Sequence, residues 1–433
     1  MLDLLRERLE ETIVTAARIG APDWLVDELN TPKRRIEVQF RARVHGKLKL
    51  FSGFVVLHRN PHPTGACPYK GGLRFHKSVT PEILTVLAME MTDKCILAGL
   101  PFGGAKAGIA FDPLLYSEEE CRLITEAFTH ELLTLNLPHP DIFVPGPDMG
   151  TTSREMLWMY IVIADMNQVR NIPNVPASVT GKPVHSNGIP EREDATARGA
   201  LIQIKKFLEL SKQRFTAPPR LVIQGFGNVG ANLVRLSAEK EFGSFNCVAV
   251  SDVSGGIHNP LGLNIPALFT WYGEHKTFSG FPDATAISNE ELLTLPTDIL
   301  LPAATENQIT EKNADNIVAR IIFEVANRAI TPGAEKIFWE KGVSVIPGVV
   351  ANAGGVVVSF CEWSINRGMR IHEVDVSPGK SAVHTRLERI MERTLCKVVA
   401  YAEEKKCSYS CAAQDLAMLE MLTALRQKHG YPA

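Results

Sequence analysis

The chain has 433 residues and a formal net charge of −2, with 45% hydrophobic and 22% charged residues. This length allows two or three domains, and the composition is that of an ordinary globular protein. The near-neutral charge gives no reason to expect nucleic acid or a membrane surface as a partner, and no apolar run is expected to reach the length of a transmembrane helix. The eight cysteines are scattered, so we predict no metal site and no disulfide framework, but reduced thiols in a cytoplasmic protein.

The first part of the chain mixes helical and strand patterns. Its acidic N-terminus (MLDLLRERLEET) predicts an amphipathic helix rather than a targeting presequence. Residues 36–44 (IEVQFRARV) and 47–60 (KLKLFSGFVVLHRN) alternate apolar and polar side chains, which is typical of half-buried strands. Residues 80–99 have helical periodicity, with Thr80 as the N-cap and Pro81 in the first turn.

Three lysines and an aspartate in this part are candidates for chemistry. Lys70 and Lys106 each adjoin a pair of glycines, Lys94 lies on the predicted helix, and Asp148 follows a proline in VPGPDMGTT. Small neighbours let a long cation approach a ligand. A lysine that is crowded by cations and partly desolvated has a lowered pKa and exchanges a proton near neutral pH, while the other lysines could hold the carboxylates of an anionic substrate. The alternative, three solvated surface lysines, fits the pattern alone equally well.

From about residue 196, short apolar runs alternate with helical stretches. They include RLVIQ, CVAVSD, DILLPAA, IIFEVAN and VSVIP. This rhythm is typical of a parallel sheet covered by helices. Residues from about 355 to 425 are mostly helical and predict no further strands.

A glycine-rich turn lies at the start of this second pattern. Gly225, Gly227 and Gly230 have the G-x-G-x-x-G spacing, after a predicted strand and before a helix that opens at Asn228 and Val229. The next predicted strand ends at Asp252. This context favours a dinucleotide site, with the pyrophosphate at the N-terminus of the helix. A tight turn without a ligand, and Asp252 as an ordinary strand-end cap, are the alternatives.

Eight motifs together resemble hexameric glutamate dehydrogenases over nearly the whole chain. In chain order they are PYKGGLRF, LPFGGAKAG, VPGPDMGT, TGKP with DATARGA, QGFGNVG, VSDVSGGIHNPLGLN, EVANRAITP and NAGGVVVSFCEW. The resemblance implies reversible oxidative deamination of L-glutamate to 2-oxoglutarate and ammonia with NAD or NADP. It also implies a homohexamer whose partners are these small molecules, with no nucleic acid and no membrane.

The resemblance also implies roles for single residues. Lys106 corresponds to the catalytic lysine, and Asp148 to the acid/base at the amino nitrogen. Lys94 corresponds to the lysine that binds the α-carboxylate, and Lys70 to the one that binds the side-chain carboxylate. The remaining positions line the substrate pocket (Thr196 and Ser359) or lie near the nicotinamide ribose (Asn327 and Asn352).

Three positions depart from the common pattern of these enzymes. Residues 188–192 read GIPER where many members have Gly-Ser-Leu-Gly-Arg, Arg328 stands where glycine is common, and Gly348 where aspartate is usual. Two other functions are therefore kept. One is a dehydrogenase for leucine, valine or phenylalanine, against which Lys70 argues, and the other is a non-catalytic regulatory subunit of a hetero-oligomer.

We therefore predict an α/β fold with two domains and a cleft between them. Residues 1–185 form a substrate-binding and assembly domain, residues 186–355 a Rossmann-like dinucleotide-binding domain, and residues 356–433 a helical tail that returns to the first domain. Because an acidic residue at the strand end favours a free ribose 2′-hydroxyl and repels a 2′-phosphate, Asp252 favours NAD over NADP.

Overall fold

The computed structural model describes residues 2–62, 67–211, 213, 215–243, 245–371 and 380–430. It divides into two compact units. The first comprises Met1–Arg192, Val356–Thr385 and Gln414–Ala433, and the second Glu193–Gly355 and Arg386–Ala413. All eight cysteines lie among the described residues and are free thiols.

Five strands and five helices form most of the first unit. The strands are β1 (Arg34–Val44), β2 (Lys47–Leu57), β3 (Tyr69–Phe75), β4 (Gly103–Ile109) and β5 (Phe143–Pro147). The helices are α1 (Leu2–Ile19), α2 (Asp23–Asn30), α3 (Pro81–Leu97), α4 (Glu118–Thr134) and α5 (Ser153–Arg170). The predicted strands β1 and β2 and the predicted helices α1 and α3 are thus confirmed, and Thr80 caps α3 by accepting the N–H of Ile83.

The sheet of the first unit has the order β1-β2-β4-β3-β5. β1, β2 and β4 pair antiparallel, whereas β3 is parallel to both β4 and β5. One face packs on α4 and α5, where the ring centroids of Phe128 and Phe40 are 5.6 Å apart. The other face packs on α3 through Leu84 and Ala88. The strands that carry Lys70 and Lys106 are therefore interior strands covered on both faces.

The second unit has its own seven-stranded sheet, built from residues 220–346. Its strands are β6 (Arg220–Gln224), β7 (Asn246–Asp252), β8 (Gly255–His258), β9 (Thr285–Ile287), β10 (Ile299–Pro302), β11 (Ile321–Phe323) and β12 (Ser344–Ile346). The helices begun in this unit are α6 (Ala195–Leu210), α7 (Asn228–Ser237), α8 (Ile265–His275), α9 (Asn289–Thr294), α10 (Pro332–Glu340), α11 (Gly348–Ala351) and α12 (Gly354–Asn366).

The order of this sheet, β12-β11-β10-β6-β7-β8-β9, places a topological switch at β6. The chain moves from β6 to β7 on one side and returns to β10 on the other, and these three strands are parallel. Ligands of open α/β sheets bind at the carboxyl ends of strands at such a point. The predicted parallel sheet is confirmed, and the antiparallel strands β8 and β9 extend it beyond what the periodicity indicated.

The helical tail is shared between the two units rather than assigned to the first alone. It continues through α13 (Ala382–Lys405) and α14 (Tyr409–His429), and residues 372–379 lie outside the described part of the chain. Residues 386–413 belong to the second unit because α13 packs on α6, where Gln203 Nε2 donates to the Met391 carbonyl at 3.0 Å. This differs from the predicted return of the whole tail to the first domain.

One helical stretch corrects an expectation about hydropathy. Gly348–Asn366 has a mean hydropathy of 1.3 and is long and apolar enough to cross a membrane by length and composition. However, 89% of its most apolar 18-residue segment is buried inside the fold. The expectation that no apolar run reaches this length was wrong. A helical stretch in the core of a fold passes the same test because most of its residues are apolar and buried.

Candidate functional site

The three candidate lysines are buried in the first unit. Lys70 lies on β3, Lys94 in the last turn of α3 and Lys106 on β4, and the three residues are 3%, 6% and 3% exposed. The alternative of solvated surface lysines is therefore excluded. Lys70 and Lys94 both act electrostatically on the thiol of Cys95, and Lys106 acts on Lys70, so the three ammonium groups belong to one cluster.

Asp148 is held between two cations at the end of β5. Lys106 Nζ donates to its Oδ2, and Arg74 Nε donates to its Oδ1 at 2.9 Å. Burial alone would raise the pKa of Asp148, but Lys106 and Arg74 outweigh it and hold that pKa well below its usual range. The Asp148 N–H donates to Thr151 Oγ1 at 2.9 Å, which fixes the backbone below the carboxylate. Asp148 is thus an oriented carboxylate at neutral pH.

Two glycines make room for the charged groups of this cluster. A Cβ built on Gly146 would lie 2.7 Å from Lys70 Nζ, and one built on Gly72 would lie 2.6 Å from Asp148 Oδ2. Both distances are far below contact, so any larger side chain would displace the charged group. The glycines beside the lysines lie in strand interiors, where glycine marks a close approach.

A second group of charges surrounds Lys70. Arg192 Nε donates to Ser359 Oγ of α12 at 3.2 Å, and Arg192 acts electrostatically on Lys70. Burial lowers the pKa of Lys70 to about 7, and Arg192 adds to this effect. The pKa of Arg192 is also lowered by burial, against the opposing charge of Glu362. Ser359, the position predicted to line the pocket, is therefore bound by Arg192, whose charge acts on Lys70.

Glu362 forms a buried ion pair next to this group. Its Oε1 accepts from Lys182 Nζ at 2.7 Å and its Oε2 accepts from the Gly181 N–H at 2.7 Å. The side chains of Lys182 and Glu362 are both 0% exposed. Burial lowers the pKa of Lys182, and Glu362 opposes that shift.

Sequence reasoning missed Arg74, Arg192, Lys182 and Glu362. Arg74 had a usable signal, because residues four apart on a strand point to the same face and Lys70 lies four residues before Arg74 on β3. Arg192 ends the segment GIPER, which differs from the common pattern of these enzymes, and no spacing rule connects Arg192 to Lys70. The pair of Lys182 and Glu362 joins positions 180 residues apart, which no local pattern reveals.

In the second unit, the glycine-rich turn connects β6 to α7. Gly225 has φ +99°, which favours glycine, and its N–H donates to the Ser251 carbonyl of β7 at 2.9 Å. A Cβ on Gly230 would lie 1.9 Å from the Gly225 carbonyl oxygen, whereas one on Gly227 would meet nothing within 4 Å. Gly227 is the N-cap of α7, which begins at Asn228 and Val229, and no side-chain cap engages its first N–H groups. This end of the helix forms an open backbone cradle in front of Gly227, of the kind that can hold an anion.

Asp252 ends β7 with both carboxylate oxygens engaged. Oδ1 accepts from the N–H and the hydroxyl of Ser254 at 2.8 and 2.6 Å, and Oδ2 accepts from the Tyr272 hydroxyl at 3.0 Å. The Tyr272 ring packs edge-on against Phe226, with centroids 4.7 Å apart. The carboxylate is thus oriented at the strand end beside an aromatic surface, rather than capping only its own turn.

The two predicted asparagines meet at the carboxyl end of β11. Asn352 Nδ2 donates to Asn327 Oδ1 at 2.9 Å and to the Val325 carbonyl at 3.1 Å. Asn352 Oδ1 is buried and accepts no hydrogen bond. Such an atom is costly unless a partner arrives, so these residues suit a ligand that donates a hydrogen bond. Together with the cradle at Gly227 they fit a dinucleotide.

Thr196, the remaining predicted site residue, and two of the three departures lie in the second unit. Thr196 is half-buried in the first turn of α6. Arg328, where glycine is common, has φ +49°, a left-handed conformation that favours glycine. Gly348 donates its N–H to Glu324 Oε2 at 2.6 Å. Of the three departures, Arg328 thus adds local backbone strain, and the Gly348 N–H is bound by Glu324. The third, residues 188–192, ends at Arg192, whose charge acts on Lys70.

Comparison with known proteins agrees with this geometry. Residues 188–430 match the profile of the family described as Glutamate/Leucine/Phenylalanine/Valine dehydrogenase, and residues 32–164 match its dimerisation domain. The chain is 39% identical to the NAD-specific glutamate dehydrogenase A of Halobacterium salinarum, over 79% of this chain and 76% of that protein. It is 37% identical to the NADP-specific glutamate dehydrogenase of Synechocystis, over 83% of each.

A solved structure extends the likeness to the whole fold. The hetero-hexameric glutamate dehydrogenase from Thermus thermophilus, in its leucine-bound form, aligns with a TM-score of 0.87 at 29% identity, over 100% of this chain and 97% of that one. The fold, the profile matches and the sequence identities agree, and the chain belongs to the Glu/Leu/Phe/Val dehydrogenase family of NAD(P)-dependent amino-acid dehydrogenases.

Proposed function

We propose that the chain catalyses the reversible oxidative deamination of L-glutamate to 2-oxoglutarate and ammonia. The observation that carries this proposal is the group formed by the buried side chains of Lys70 and Ser359 with the half-buried Arg192. A site for an apolar side chain would bury these cations against carbon, at a cost that nothing repays. A distal carboxylate repays it by pairing with both cations and accepting the serine hydroxyl.

The other charged residues of the first unit suit the reacting end of the substrate. We assign Lys94 to the α-carboxylate, Lys106 to the reacting water and Asp148 to the amino nitrogen. Before hydride leaves the α-carbon, the substrate ammonium must lose a proton, and the oriented Asp148 carboxylate accepts it. Once Lys106 has released a proton to solvent, its neutral amine takes a proton from the water that adds to the imine carbon. The ammonium group so formed stabilises the oxygen of the carbinolamine, and the proton then passes to the amino nitrogen, which leaves as ammonia. Lys106 and Asp148 share a hydrogen bond, so the proton moves between adjacent groups.

In the second unit, we assign the turn at Gly225–Gly230, Asp252, Asn327 and Asn352 to the coenzyme, and Thr196 to the pocket near the nicotinamide. The coenzyme supplies the hydride acceptor when it is bound. We propose a preference for NAD, because the Asp252 carboxylate accepts a ribose 2′-hydroxyl and repels a 2′-phosphate. The named relatives include both NAD-specific and NADP-specific enzymes, so similarity alone leaves this choice open.

Two further points follow from the same residues. The charged residues that we assign to the reaction are all present in the first unit, which supports a catalytic chain over a non-catalytic regulatory subunit. We also propose a homohexamer. The structural relative from Thermus thermophilus is named a hetero-hexamer, so the mass of the purified assembly, measured by light scattering, tests this point.

Initial rates of the purified protein test the function. We expect kcat/KM for glutamate to exceed the values for leucine, valine, phenylalanine and norvaline by at least about a hundredfold, since an unpaired buried charge costs about 3–5 kcal/mol. The assay is run with NAD and with NADP, and kcat/KM should be higher with NAD. A preference for an apolar amino acid would contradict the substrate, and no turnover with any of them would favour the regulatory subunit.

A further inference from the structure

The position of Glu362 carries an inference beyond the residues that touch substrate. Glu362 follows Ser359 by three residues on α12, so the two side chains lie on one face of the helix about one turn apart. Its carboxylate is completely enclosed and binds Lys182 and the Gly181 N–H, each at 2.7 Å. A buried ion pair is weak evidence for stability, because desolvation offsets the attraction. A second reason for the pair is therefore needed.

The segment that Glu362 holds forms a wall of the Lys70 site. Thr180 precedes the two residues that bind Glu362, and its N–H donates to the Pro145 carbonyl of β5 at 3.0 Å. A Cβ on Gly146 would lie 2.7 Å from Lys70 Nζ and 3.2 Å from Thr180 Oγ1, so both groups border the same small space. A shift of this segment would change where the Lys70 ammonium rests.

The charge balance of the same site also depends on Glu362. Lys70, Arg192 and Lys182 are three cations, and Glu362 is the carboxylate whose charge acts on all of them. The groups whose charge acts on Lys70 are Arg192 from the segment before α6, Glu362 from α12, Cys95 from α3 and Lys106 from β4. Of these four groups, Arg192 and Lys106 are cations that lower the pKa of Lys70, and Glu362 is a carboxylate that raises it. Its charge favours the protonated, carboxylate-binding form of Lys70.

We propose that Glu362 is a positioning residue that holds the distal-carboxylate cluster in its charged, binding-competent state before substrate arrives, with Lys182 as the counter-charge that limits its effect. This inference rests on the proposed function, because it concerns the site assigned to the substrate's side-chain carboxylate. Glu362 contacts no substrate atom in this role and acts through Lys70 and Arg192. It therefore sets the pH range over which a dicarboxylate binds.

Charge changes of opposite sign test the proposal. Glu362→Gln removes the anion, so the pH above which a dicarboxylate loses affinity should fall. Lys182→Gln leaves Glu362 uncompensated, so that pH should rise. We expect shifts of about half to one pH unit, at the lower end of what a neighbouring charge produces. The double variant Glu362→Gln/Lys182→Gln removes both charges and should return the midpoint to near the wild-type value.

The measurement is the affinity for glutarate, a dicarboxylate that lacks the reacting amino group, by calorimetry from pH 6 to 9 without coenzyme. At pH 6 the affinity of Glu362→Gln should stay within about threefold of wild type, and at pH 8.5 it should fall by up to about tenfold, as a shift of one unit requires. In glutamate kinetics the effect should appear in KM more than in kcat. If the Lys182–Glu362 ion pair only stabilised the fold, both single variants would have a lower affinity for glutarate at all pH values. The double variant would then not regain the wild-type affinity.

The outcomes separate this inference from the function on which it rests. If the wild type neither binds glutarate nor oxidises glutamate, the proposed function is wrong. If the wild type does both while the two single variants shift in the same direction, or neither shifts, Glu362 does not set the charge state and the inference is overturned. Should Glu362→Gln fail to fold, by circular dichroism, an unshifted midpoint in Lys182→Gln overturns it and an upward shift supports it.

Discussion

At the level of single residues, the two ends of the site are balanced in opposite ways. Asp148 has two cations, Lys106 and Arg74, and is fixed as an anion. Lys70 faces cations from two directions and shares one carboxylate, Glu362, with its neighbours. The first arrangement is balanced in charge without substrate, which fixes the position of the carboxylate that we assign to the amino nitrogen. The second has an excess of positive charge, which suits a group that waits for a carboxylate.

Replacement of Lys106 tests the proton-handling role. Lys106→Ala should lower kcat by roughly two to four decades, the range typical of general acid–base groups, while coenzyme affinity and assembly stay unchanged. The exposed Lys77 on the segment after β3 gives a matched control, and Lys77→Ala should keep wild-type kcat. Rates with saturating glutamate, coenzyme titration by fluorescence and light scattering measure the three properties. Near-normal turnover in Lys106→Ala would remove the assignment.

Replacement of the side-chain carboxylate site tests the substrate. Lys70→Leu with Ser359→Val removes the ammonium and the hydroxyl, which should cost about 3–5 kcal/mol, or roughly two to four decades of kcat/KM for glutamate. The loss should appear for 2-oxoglutarate as well, because it has the same distal carboxylate. Norvaline and methionine should lose much less or gain. Arg192 remains in the double variant, so the apolar substrates are not expected to reach the wild-type rate on glutamate.

If that double variant still strongly prefers glutamate, Arg192 or another group reads the side chain instead of Lys70. Arg192→Met separates the two readings. On the present assignment, this single change should lower kcat/KM for glutamate by less than the loss in the double variant, because Lys70 still pairs with the carboxylate.

What the sequence reveals about the site follows from which interactions are local. The candidates Lys70, Lys106 and Asp148 stand in short glycine- and proline-rich motifs, so they were predictable as positions near a ligand, and their roles remain predictions. Arg192 and Glu362 reach the Lys70 site only through tertiary packing. A charge network between distant segments leaves no periodicity, and it was found only in the structure.

At the level of elements, glycine content and short length explain why some strands were not predicted from the sequence. β6, β7 and β10 are β-branched and apolar and were predicted, whereas β3 and β4 contain glycine pairs, which depress strand propensity. These glycines are there because other groups lie against the strands. That group is the Asp148 carboxylate at Gly72, and uncharged atoms lie nearest to Gly71, Gly103 and Gly104. β8 and β9 have four and three residues, too short for an alternating pattern to emerge.

The turn between β6 and α7 allows a matched pair of variants. Gly227→Val meets open space at an ordinary φ of −72°, so the free energy of unfolding should change by less than about 1 kcal/mol. The new side chain fills the space where a pyrophosphate approaches the helix, so coenzyme affinity should fall at least about tenfold. Gly230→Val has the same chemistry but clashes with the Gly225 carbonyl, and should also destabilise the fold by about 1–3 kcal/mol or more.

Thermal melting and coenzyme titration of the two variants measure these effects. Full coenzyme affinity in Gly227→Val would show that no pyrophosphate lies at this turn. Equal stability of the two variants would show that the close approach at Gly230 relaxes without cost.

At the level of the whole molecule, the two units hold the residues that we assign to different parts of the reaction. The first unit holds the lysines and the aspartate assigned to the substrate, and the second holds the glycine-rich turn assigned to the coenzyme, at its topological switch. The α/β class and the Rossmann-like second domain were predicted from the rhythm of strands and helices and are confirmed. The division of the tail was not, because helical periodicity shows which face is apolar but not what covers it.

The pH dependence of the whole fold gives the last test, through Lys70. Its pKa is lowered to about 7 in the folded protein from 10.5, so between these values the unfolded chain binds more protons and this residue's contribution to stability rises with pH. Its affinity for a dicarboxylate has the opposite dependence, because only the ammonium pairs with a carboxylate. Glutarate at a hundred times its Kd at pH 6 should therefore stabilise the fold by about 2.7 kcal/mol. At pH 9, where the neutral amine dominates, the same concentration should add only about 0.4 kcal/mol.

The shift of the melting midpoint on adding glutarate, measured from pH 6 to 9, should shrink accordingly, while Lys70→Leu should show a small shift that does not change with pH. A glutarate shift of constant size in the wild type would mean that Lys70 keeps its proton across this range or does not bind the carboxylate. A pH-dependent shift that persists in Lys70→Leu would assign the titration to another group.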